Sequence, residues 1–311
     1  MSFTIPEANV LQFGTNVREL AQQKGSRFRK AAIEDMVTGE AAYLEQLAPT
    51  AARKVLARHS DSPLMNTQHL RRRLSIYDYD WGDMVDRLDR VRLLIDPDSA
   101  YTKNASYAMG RGFDDEWIAA AFGTAYAGHS GSIALTWPNG NSESTPSQPG
   151  GTQVAVNDWT YGNGSGNAGL TISKLISAKV ALMAAEVDDD DEQMAEGEYY
   201  IAVTAKHIGN LLSTTETTSA DYNGVKALVD GKINTFMGFR FIRSQRLQLN
   251  GSGYYRLPAW HRSAVGFGIA KDIETQSAPR PDKRFAHYIY CDMAIGAARL
   301  EEVKLVEVVC V

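Results

Sequence analysis

The chain has 311 residues, of which 44% are hydrophobic and 22% charged, so it can bury a sizeable core and has the composition of a soluble globular protein. Its formal net charge of −5 argues against a function built on phosphate neutralisation, although a local basic patch stays compatible with it. The N-terminal stretch lacks the basic and apolar regions of a secretory signal, and no segment predicts a membrane span. Since Cys291 and Cys310 are the only cysteines, we expect synthesis in a reducing cytoplasm and no disulfide.

Residues 1–30 predict an arm and not a domain. Their apolar residues could line one face of a short helix, but Gly14 and Gly25 interrupt the pattern and basic residues follow. So short an element cannot bury a core of its own. We therefore expect the arm to dock on the rest of this chain or on a neighbouring one.

Residues 31–85 predict a long β-hairpin. Leu70, Leu74 and Ile76 alternate with polar residues, which is the period-two pattern of a strand with one buried face. The stretch 58–67 between the two strands is polar, so the hairpin has too few apolar residues to stand as an independent domain.

Side chains along this hairpin favour contacts between subunits. Tyr79 and Trp81 share one face of a strand. Arg71, Arg72 and Arg73 could meet phosphate, but neighbouring residues of a strand point to opposite faces and cannot form one basic patch. Salt bridges to acidic residues of a neighbouring subunit are therefore the favoured use of these arginines.

The stretch from Asp98 to Gly128 predicts one long helix, with Asp98 or Ser99 as its N-cap and Gly128 as its C-cap. Gly110 and Gly112 interrupt it, and each costs about 1 kcal/mol relative to alanine in an exposed helix interior. Either the helix bends at these glycines or another element packs against them too closely for a methyl group.

The same helix carries three successive acidic residues, Asp114, Asp115 and Glu116. Adjacent helix positions do not face each other, so these carboxylates do not form a catalytic pair. We expect them to be interface or solvent charges.

A glycine-rich motif after the helix resembles a dinucleotide-binding loop. Gly164, Gly166 and Gly169 have the G-x-G-x-x-G spacing, and a helical pattern follows from Leu170. However, no strand directly precedes the glycines, and the helix begins only after them, with Thr171 as its N-cap. A surface loop is the better interpretation.

The last third of the chain predicts mainly strands, with a strand over Tyr199–Val203, a helix from Thr204 to Leu212 and another helix from Ser219 or Asp221 to Val229. Extended segments then alternate with turns, and from Ile273 the chain is mostly extended. The fold class is therefore α+β, with one long helix, several short helices and mainly antiparallel strands.

Motifs that carry chemistry are missing from the sequence. The six histidines are widely spread and none has a second ligand at zinc-site spacing, and the acidic run 188–192 lacks the pattern of a calcium loop. There is no P-loop, no G-x-S-x-G and no H-E-x-x-H. An arm, a long hairpin and an extended helix expose more surface than one subunit covers, which indicates a structural protein completed by its neighbours.

These elements resemble the major capsid proteins of tailed bacteriophages with the Hong Kong 97-type fold. The resemblance rests on LAQQKGSRFR (20–29), RHSDSPLMNTQHLRRRLSIYDYDW (58–81), DRVRLLIDPDSAYTKNASYAMGRGFDDEWIAA (89–120) and SADYNGVKALVDGKINTFMGFRFIRS (219–244).

The resemblance implies a domain plan and a function. Residues 1–30 would be the N-arm, 31–85 the E-loop, 86–196 with 271–311 the peripheral domain containing the spine helix 98–128, and 197–270 the axial domain. The protein would assemble into the hexamers and pentamers of an icosahedral shell around a double-stranded DNA genome, bound without sequence specificity. It also implies a portal protein at one vertex, a possible decoration protein, no cofactor, no metal and no membrane.

The assembly candidates under this resemblance are Arg58, Arg71, Arg72, Arg73, Tyr79 and Trp81. Gly110 and Gly112 would let the spine helix bend in the immature shell and straighten as the shell expands.

The sequence departs from the family pattern in two respects. The arm starts at once, without the scaffold domain of many relatives, which implies a separate scaffolding protein in the host bacterial cytoplasm. A Lys, Asn and Glu trio for covalent cross-linking cannot be matched. An encapsulin-type nanocompartment shell is the alternative interpretation, and a nicotinamide-dependent enzyme is a distant one.

Overall fold

The computed structural model describes residues 22–48, 50–55, 62, 64–85, 97–138, 152–162, 164–185, 199–214 and 234–311. Within these ranges the α-helices are α1 (Pro97–Phe122), α2 (Ile172–Ala184) and α3 (Ala205–Thr214). The strands are β1 (Ile33–Met36), β2 (Ala41–Leu47), β3 (His69–Ser75), β4 (Tyr77–Val85), β5 (Ala125–Ala127), β6 (Ile133–Leu135), β7 (Gln153–Val154), β8 (Tyr199–Val203), β9 (Thr235–Phe236), β10 (Phe239–Arg243), β11 (Tyr255–His261), β12 (Val265–Arg280), β13 (Ala286–Arg299) and β14 (Leu305–Cys310). Short 3-10 turns lie at Arg29–Ala31, Arg262–Ala264, Pro281–Lys283 and Glu302–Lys304.

The described strands form three sheets, and the α+β class is confirmed. A six-stranded sheet has the order β7-β14-β11-β8-β10-β9, and two four-stranded sheets have the orders β1-β12-β13-β4 and β2-β3-β5-β6. β2 and β3 pair antiparallel from Ala41 opposite Ser75 to Leu47 opposite His69, as expected for the predicted hairpin. The interior strands β8 and β14 are buried at every position. β8 has no charged residue, and the one charged residue of β14, Glu307, forms an ion pair with Arg256.

Two compact units divide the described residues. The first unit takes its described residues from Met1–Ser26, Asp78–Gly112 and Lys271–Ala294. The second unit takes them from Arg27–Tyr77, Phe113–Ala270 and Ile295–Val311. The long helix α1 therefore contributes residues to both units.

The second unit has an aromatic core. Phe28 stacks on Trp117 with ring centroids 4.7 Å apart, and Trp117 lies 4.3 Å from Trp260. The indole of Trp260 donates a hydrogen bond of 2.9 Å to the carbonyl of Ala31, so the aromatic rings also fix the backbone beside Phe28. Because such rings bury large apolar areas, this cluster is a main source of the unit's stability.

In the first unit, residues of the arm pack along α1. The side chain of Gln22 donates to Asn104 at 3.1 Å, and Arg111 donates to Gln22 at 2.8 Å. Gly25 adopts a φ of 74° and lies against Gly110, where an added Cβ would come within 2.5 Å of the Gly25 Cα. The two glycines therefore allow backbone and helix to approach closely, as the packing explanation for Gly110 requires.

The predicted helix end at Gly128 is wrong. α1 begins at Pro97 and ends at Phe122, and the chain continues as strand β5, with Gly128 in the turn before β6 at a φ of 85°. Ala125-Tyr126-Ala127 shows buried, exposed and buried side chains, which is a strand alternation within an apolar stretch. Gly128 thus caps a turn, for which its positive φ is equally suited.

Other local predictions are confirmed. Thr171 is the N-cap of α2, and its hydroxyl accepts from the amide of Lys174 at 3.3 Å. The glycines of the G-x-G-x-x-G motif lie outside any helix or strand, and α2 starts after them. Cys291 and Cys310 are free and fully buried. The helix predicted over 219–229 lies outside the described residues.

Candidate assembly surface

The hairpin β2–β3 carries large apolar side chains toward solvent near its tip. Leu47 is 66% exposed, Val55 73% and Leu64 95%. Every described residue from 50 to 55 is exposed, and residues 64–68 are exposed or half-buried. Single exposed apolar residues are ordinary, but several on one protruding segment indicate a surface that another molecule covers.

Strand β3 of the hairpin is held near its middle by a buried ion cluster within the second unit. The Nη2 atom of Arg72 donates to Oε2 of Glu302 at 2.7 Å, and its Nε donates to the carbonyl of Leu300 at 3.0 Å. Glu302 also accepts from Arg299 at 3.4 Å. All three ionic side chains are buried, so this cluster fixes β3 against the residues that precede β14.

Arg299 extends the cluster to the end of α1. Its Nη1 donates to the carbonyls of Ala121 at 2.9 Å and Gly123 at 2.8 Å, and its Nη2 donates to Leu135 at 3.0 Å. The last carbonyls of a helix have no partners within the helix, and a cation there also interacts favourably with the helix dipole. Burial lowers the pKa of Arg299, but the adjacent Glu302 opposes the shift.

A cleft of about 290 Å³ lies beside the β2–β3 strand pair, lined by Glu45, His69, Arg71 and His129 among others. Arg71 forms an ion pair with Glu45 directly across the hairpin. No group of three His, Cys, Asp or Glu side chains in the described part of the chain is placed to hold a metal ion. The cleft therefore offers polar and charged contacts beside the exposed hairpin.

Asp114, in the second half of α1, binds the arm. Its carboxylate accepts from the backbone amides of Arg27 at 2.9 Å and Phe28 at 3.1 Å, and the side chain is fully buried. The expectation that Asp114 is an interface or solvent charge is therefore wrong, because two backbone amides satisfy it inside the subunit. Asp115 instead forms an exposed ion pair with Arg246.

The arginines predicted on the hairpin lie in different environments. Arg71 is half-buried and pairs with Glu45, Arg72 is buried, and Arg73 is exposed. This alternation agrees with the expectation that the three do not form one patch. The intrachain contacts of Arg72 account for its burial without a neighbouring subunit.

The remaining predicted site residues are spread along the chain. Tyr79 and Trp81 are half-buried on β4, with exposed neighbours between and around them. Arg58 lies outside the described residues. At Gly112 an added Cβ would meet only the terminal methyl of Met293, at 2.9 Å.

Sequence reasoning missed Arg299, Glu302 and the contact of Asp114 with the arm. Arg72 and Glu302 are separated by 230 residues, and Arg27 and Asp114 by 87. No local pattern marks either pair. A signal existed only for Asp114, since three adjacent acids on a helix cannot all face solvent.

No helix in the described ranges is both long and apolar enough to cross a membrane.

Comparisons with known proteins agree with this arrangement. The sequence matches the family model described as phage capsid protein over residues 5–311. No curated protein sequence matches the chain.

Solved structures share its fold. The alignment with the capsid of Ralstonia phage GP4 has a TM-score of 0.67 at 10% sequence identity, and it covers 100% of this chain and 97% of the phage chain. The capsid of cyanophage Pam1 has a TM-score of 0.66 at 13% identity, covering 99% and 98%. The head of Helicobacter pylori bacteriophage KHP40 has a TM-score of 0.67 at 8% identity, covering 100% and 98%.

The long helix, the anchored hairpin and the three sheets define a shell-forming subunit of the Hong Kong 97-type fold. The chain belongs to the phage capsid protein family, and it is a major capsid protein that forms the icosahedral shell of a bacteriophage. The comparisons give no support to the encapsulin or nicotinamide-enzyme alternatives.

Proposed function

We propose that the protein builds the hexamers and pentamers of its shell by laying the hairpin β2–β3 over an adjacent subunit. The observation that carries this proposal is the exposure of Leu47, Val55 and Leu64 at the end of β2 and in the connection from β2 to β3. Burial of apolar area releases about 25 cal/mol per Å², so covering these side chains favours association. The role is structural and involves no catalytic step.

The domain plan follows from the same proposal. Residues 1–30 act as the N-arm, 31–85 as the E-loop, 86–196 with 271–311 as the peripheral domain and 197–270 as the axial domain. Contacts between α1 and residues 22–28 support an arm that docks on its own subunit. Arg58, Arg71, Arg73, Tyr79 and Trp81 are the proposed assembly residues, whereas the buried contacts of Arg72 support a role inside the subunit.

Further partners follow from a phage shell. The inner surface encloses double-stranded DNA without sequence specificity, and a portal protein occupies one vertex. A separate scaffolding protein directs assembly in the host bacterial cytoplasm, and a decoration protein can bind the finished virion. These partners are proposed from the resemblance to tailed-phage capsids.

Deleting part of the hairpin tests this function. A chain in which a short glycine linker replaces residues 55–68 should remain soluble and melt cooperatively, because the deleted stretch contributes no buried apolar side chain in the described positions. It should form no shells when produced with the other head proteins of its phage, as seen by electron microscopy.

The matched control keeps the hairpin and removes charge elsewhere. Arg240→Ala changes an exposed side chain outside the hairpin and should leave melting unchanged. If the deleted chain loses helix content and fails to fold, residues 55–68 belong to the core and the proposal is wrong. Shells of normal size from the deleted chain would contradict it as well.

A further inference from the structure

The connection between β12 and β13 has an unusual backbone. The turn Pro281–Lys283 is followed by Arg284 and Phe285, which both have positive φ values of 52° and 59°. Bulky L-residues rarely adopt the left-handed region because the Cβ approaches the carbonyl oxygen. Two successive non-glycine residues in this region mark a strained loop, and such strain is often found at functional positions.

Packing inside the subunit does not explain the strain. The side chain of Phe285 is 55% exposed, and the described residues from Thr275 to Phe285 are all exposed. A residue held in an unfavourable conformation usually gains buried contacts in return. Here that gain is missing from the isolated subunit.

The loop nevertheless has contacts of its own. The amide of Phe285 donates to the carbonyl of Arg280 at 3.0 Å, which closes the turn. The guanidinium of Arg280 pairs with Asp282 at 2.8 Å and lies 5.5 Å from the ring centre of Tyr288. The loop therefore presents Lys283, Arg284 and Phe285 to solvent. Neither Lys283 nor Arg284 forms an ion pair shorter than 4 Å among the described residues, although the charge of Lys283 helps to lower the pKa of Asp282.

The same unit has an acidic surface on β4. This strand lies at the edge of its sheet in the order β1-β12-β13-β4. Asp78 and Asp80 point to the same face and are exposed, and Met84, 44% exposed, follows on that face. No Lys or Arg among the described residues pairs with either aspartate. At Gly82 an added Cβ would strike the hydroxyl of Tyr288, so a tyrosine covers the strand between the aspartates and the methionine.

We propose that the 283–285 loop of one subunit docks on the β4 face of a neighbouring copy. Phe285 packs on Met84 and the Tyr288 ring of the neighbour, while Lys283 and Arg284 meet Asp78 and Asp80. This rests on the proposed self-assembly of the protein into a shell, in which copies of the chain contact one another.

A second copy is the occupant that the charges favour. Among the described residues, Lys283 and Arg284 on the loop and Asp78 and Asp80 on the β4 face form no ion pair, so identical subunits are complementary at this pair of surfaces. Both surfaces stay exposed within one subunit, so they can satisfy each other only between copies. A contact that joins two different surfaces is heterologous, and such contacts build closed rings of subunits when the rotation between neighbours closes.

A photocross-linking experiment locates the partner directly. A photoreactive phenylalanine analogue replaces Phe285, and ¹⁵N-labelled and unlabelled chains are assembled together with the other head proteins of the phage. After irradiation, mass spectrometry should find cross-links of mixed isotope composition to the peptide that contains 77–85. Cross-links within one chain, to another part of a neighbour or to a different head protein would overturn the inference, and so would particles without cross-links.

Charge reversal provides an independent test. K283E/R284E and D78K/D80K should each reduce particle yield, and the two pairs combined should restore it, because the complementary charges are exchanged. A combined variant that assembles no better than either pair alone contradicts the proposed contact. Wild-type chains that form no shell would instead contradict the capsid function itself.

Phe285→Gly separates assembly from folding. Glycine tolerates positive φ, so the melting temperature of the unassembled variant should be equal to or above that of the wild type. Loss of a central aromatic contact should weaken subunit association about thirtyfold. Tyr161→Ala removes an aromatic side chain of similar exposure, 50%, and should assemble normally. Normal assembly of Phe285→Gly would refute the docking role.

Discussion

The imidazole of His207 is buried without a full set of partners. Its Nδ1 lies 2.7 Å from the hydroxyl of Thr204, its ring packs edge-on against Tyr255, and its Nε2 has no hydrogen-bond partner in the described part of the chain. Burial, helped by the charges of Lys206 and Lys174, lowers the pKa of His207 from 6.5 to about 4. The folded subunit therefore holds this histidine neutral.

We expect the unassembled subunit to lose stability as the pH falls from 6.5 to about 4. Within this range the unfolded chain binds a proton at His207 and the folded chain does not, so protons favour unfolding. The pKa difference corresponds to roughly 3 kcal/mol when the pH reaches the folded value. Urea unfolding at a series of pH values measures this loss.

His207→Gln is the control, because it removes the titrating group and leaves the other histidines in place. The stability of this variant should depend less on pH over the same range. Equal pH dependence in both proteins would show that other groups, and not His207, govern the acid response.

Lys174 is a second buried polar residue. Its Nζ donates to the carbonyls of Ala168 at 2.7 Å and Val309 at 2.8 Å, and lies 3.8 Å from the sulfur of Cys310. Burial lowers the pKa of the lysine and raises the pKa of Cys310 to about 11, so the thiol stays protonated. The amine thus joins the loop before α2 to the last strand, β14.

Lys174→Met should lower the free energy of unfolding by about 1–3 kcal/mol, since both carbonyls would lose their donor while the methionine fills the space. Lys206→Met is the matched control, because Lys206 is exposed near the start of a helix and should change stability by less than about 0.5 kcal/mol. Chemical denaturation of both variants decides the point. Equal small effects would mean that water satisfies the carbonyls equally well.

At the scale of elements, the two glycines of α1 have different surroundings. Beside Gly110 lies the backbone of Gly25 and Ser26, which cannot move without displacing the arm. Beside Gly112 lies the flexible end of Met293. The packing explanation therefore applies strongly to Gly110 and weakly to Gly112, and bending during shell expansion stays a prediction.

Gly110→Ala should destabilise the subunit by about 1–3 kcal/mol because its methyl group overlaps the arm. Gly112→Ala should be neutral or stabilise by up to about 1 kcal/mol, since alanine favours a helix and the methionine can shift. Thermal unfolding measures both, and hydrogen exchange at residues 22–26 reports release of the arm. A stable Gly110→Ala variant with faulty immature shells would support bending instead.

Sequence patterns predict these elements well where the signal is local. The alternation in β3, the threonine cap of α2 and the buried run in β8 depend on neighbouring residues, and all three are confirmed. The predicted end of α1 is wrong because Arg299, which is distant in sequence, binds carbonyl groups at the C-terminal end of the helix. These contacts let α1 end before Gly128. The local hydrophobic pattern of a helix does not predict which residue, distant in sequence, will contact its end.

At the scale of the whole molecule, the resemblance to phage capsids predicts the class of protein. Composition alone argues only weakly against an encapsulin-type shell or a nicotinamide-dependent enzyme. Local patterns indicate an arm, a hairpin and a long helix, and the family match supplies what they form together. The buried cluster of Arg72, Arg299 and Glu302 could not be predicted, because three separate segments meet there. The hairpin's position on the molecule depends on that cluster.

Arg72 and Arg73 lie next to each other on β3 and should separate stability from assembly. Arg72 donates to Glu302 inside the subunit, whereas Arg73 is exposed and has no ion pair among the described residues. Arg72→Met leaves Glu302 with a single weaker partner at 3.4 Å, so it should lower the free energy of unfolding by about 3–5 kcal/mol. Arg73→Met should change it by less than about 0.5 kcal/mol.

Assembly should show the opposite effect. Among folded subunits, Arg73→Met should reduce the yield of shells more than Arg72→Met. Soluble, folded Arg72→Met subunits selected at low temperature should still form shells, because the residue makes no contact with a neighbour. Arg73→Met subunits should fold normally and yield fewer particles if Arg73 bridges to an acidic residue of the adjacent subunit. Sedimentation of assembled particles, compared with urea unfolding of the same preparations, measures both quantities. Full shell yield from Arg73→Met would remove this residue from the interface, and unchanged stability in Arg72→Met would show that the buried cluster does not hold the hairpin.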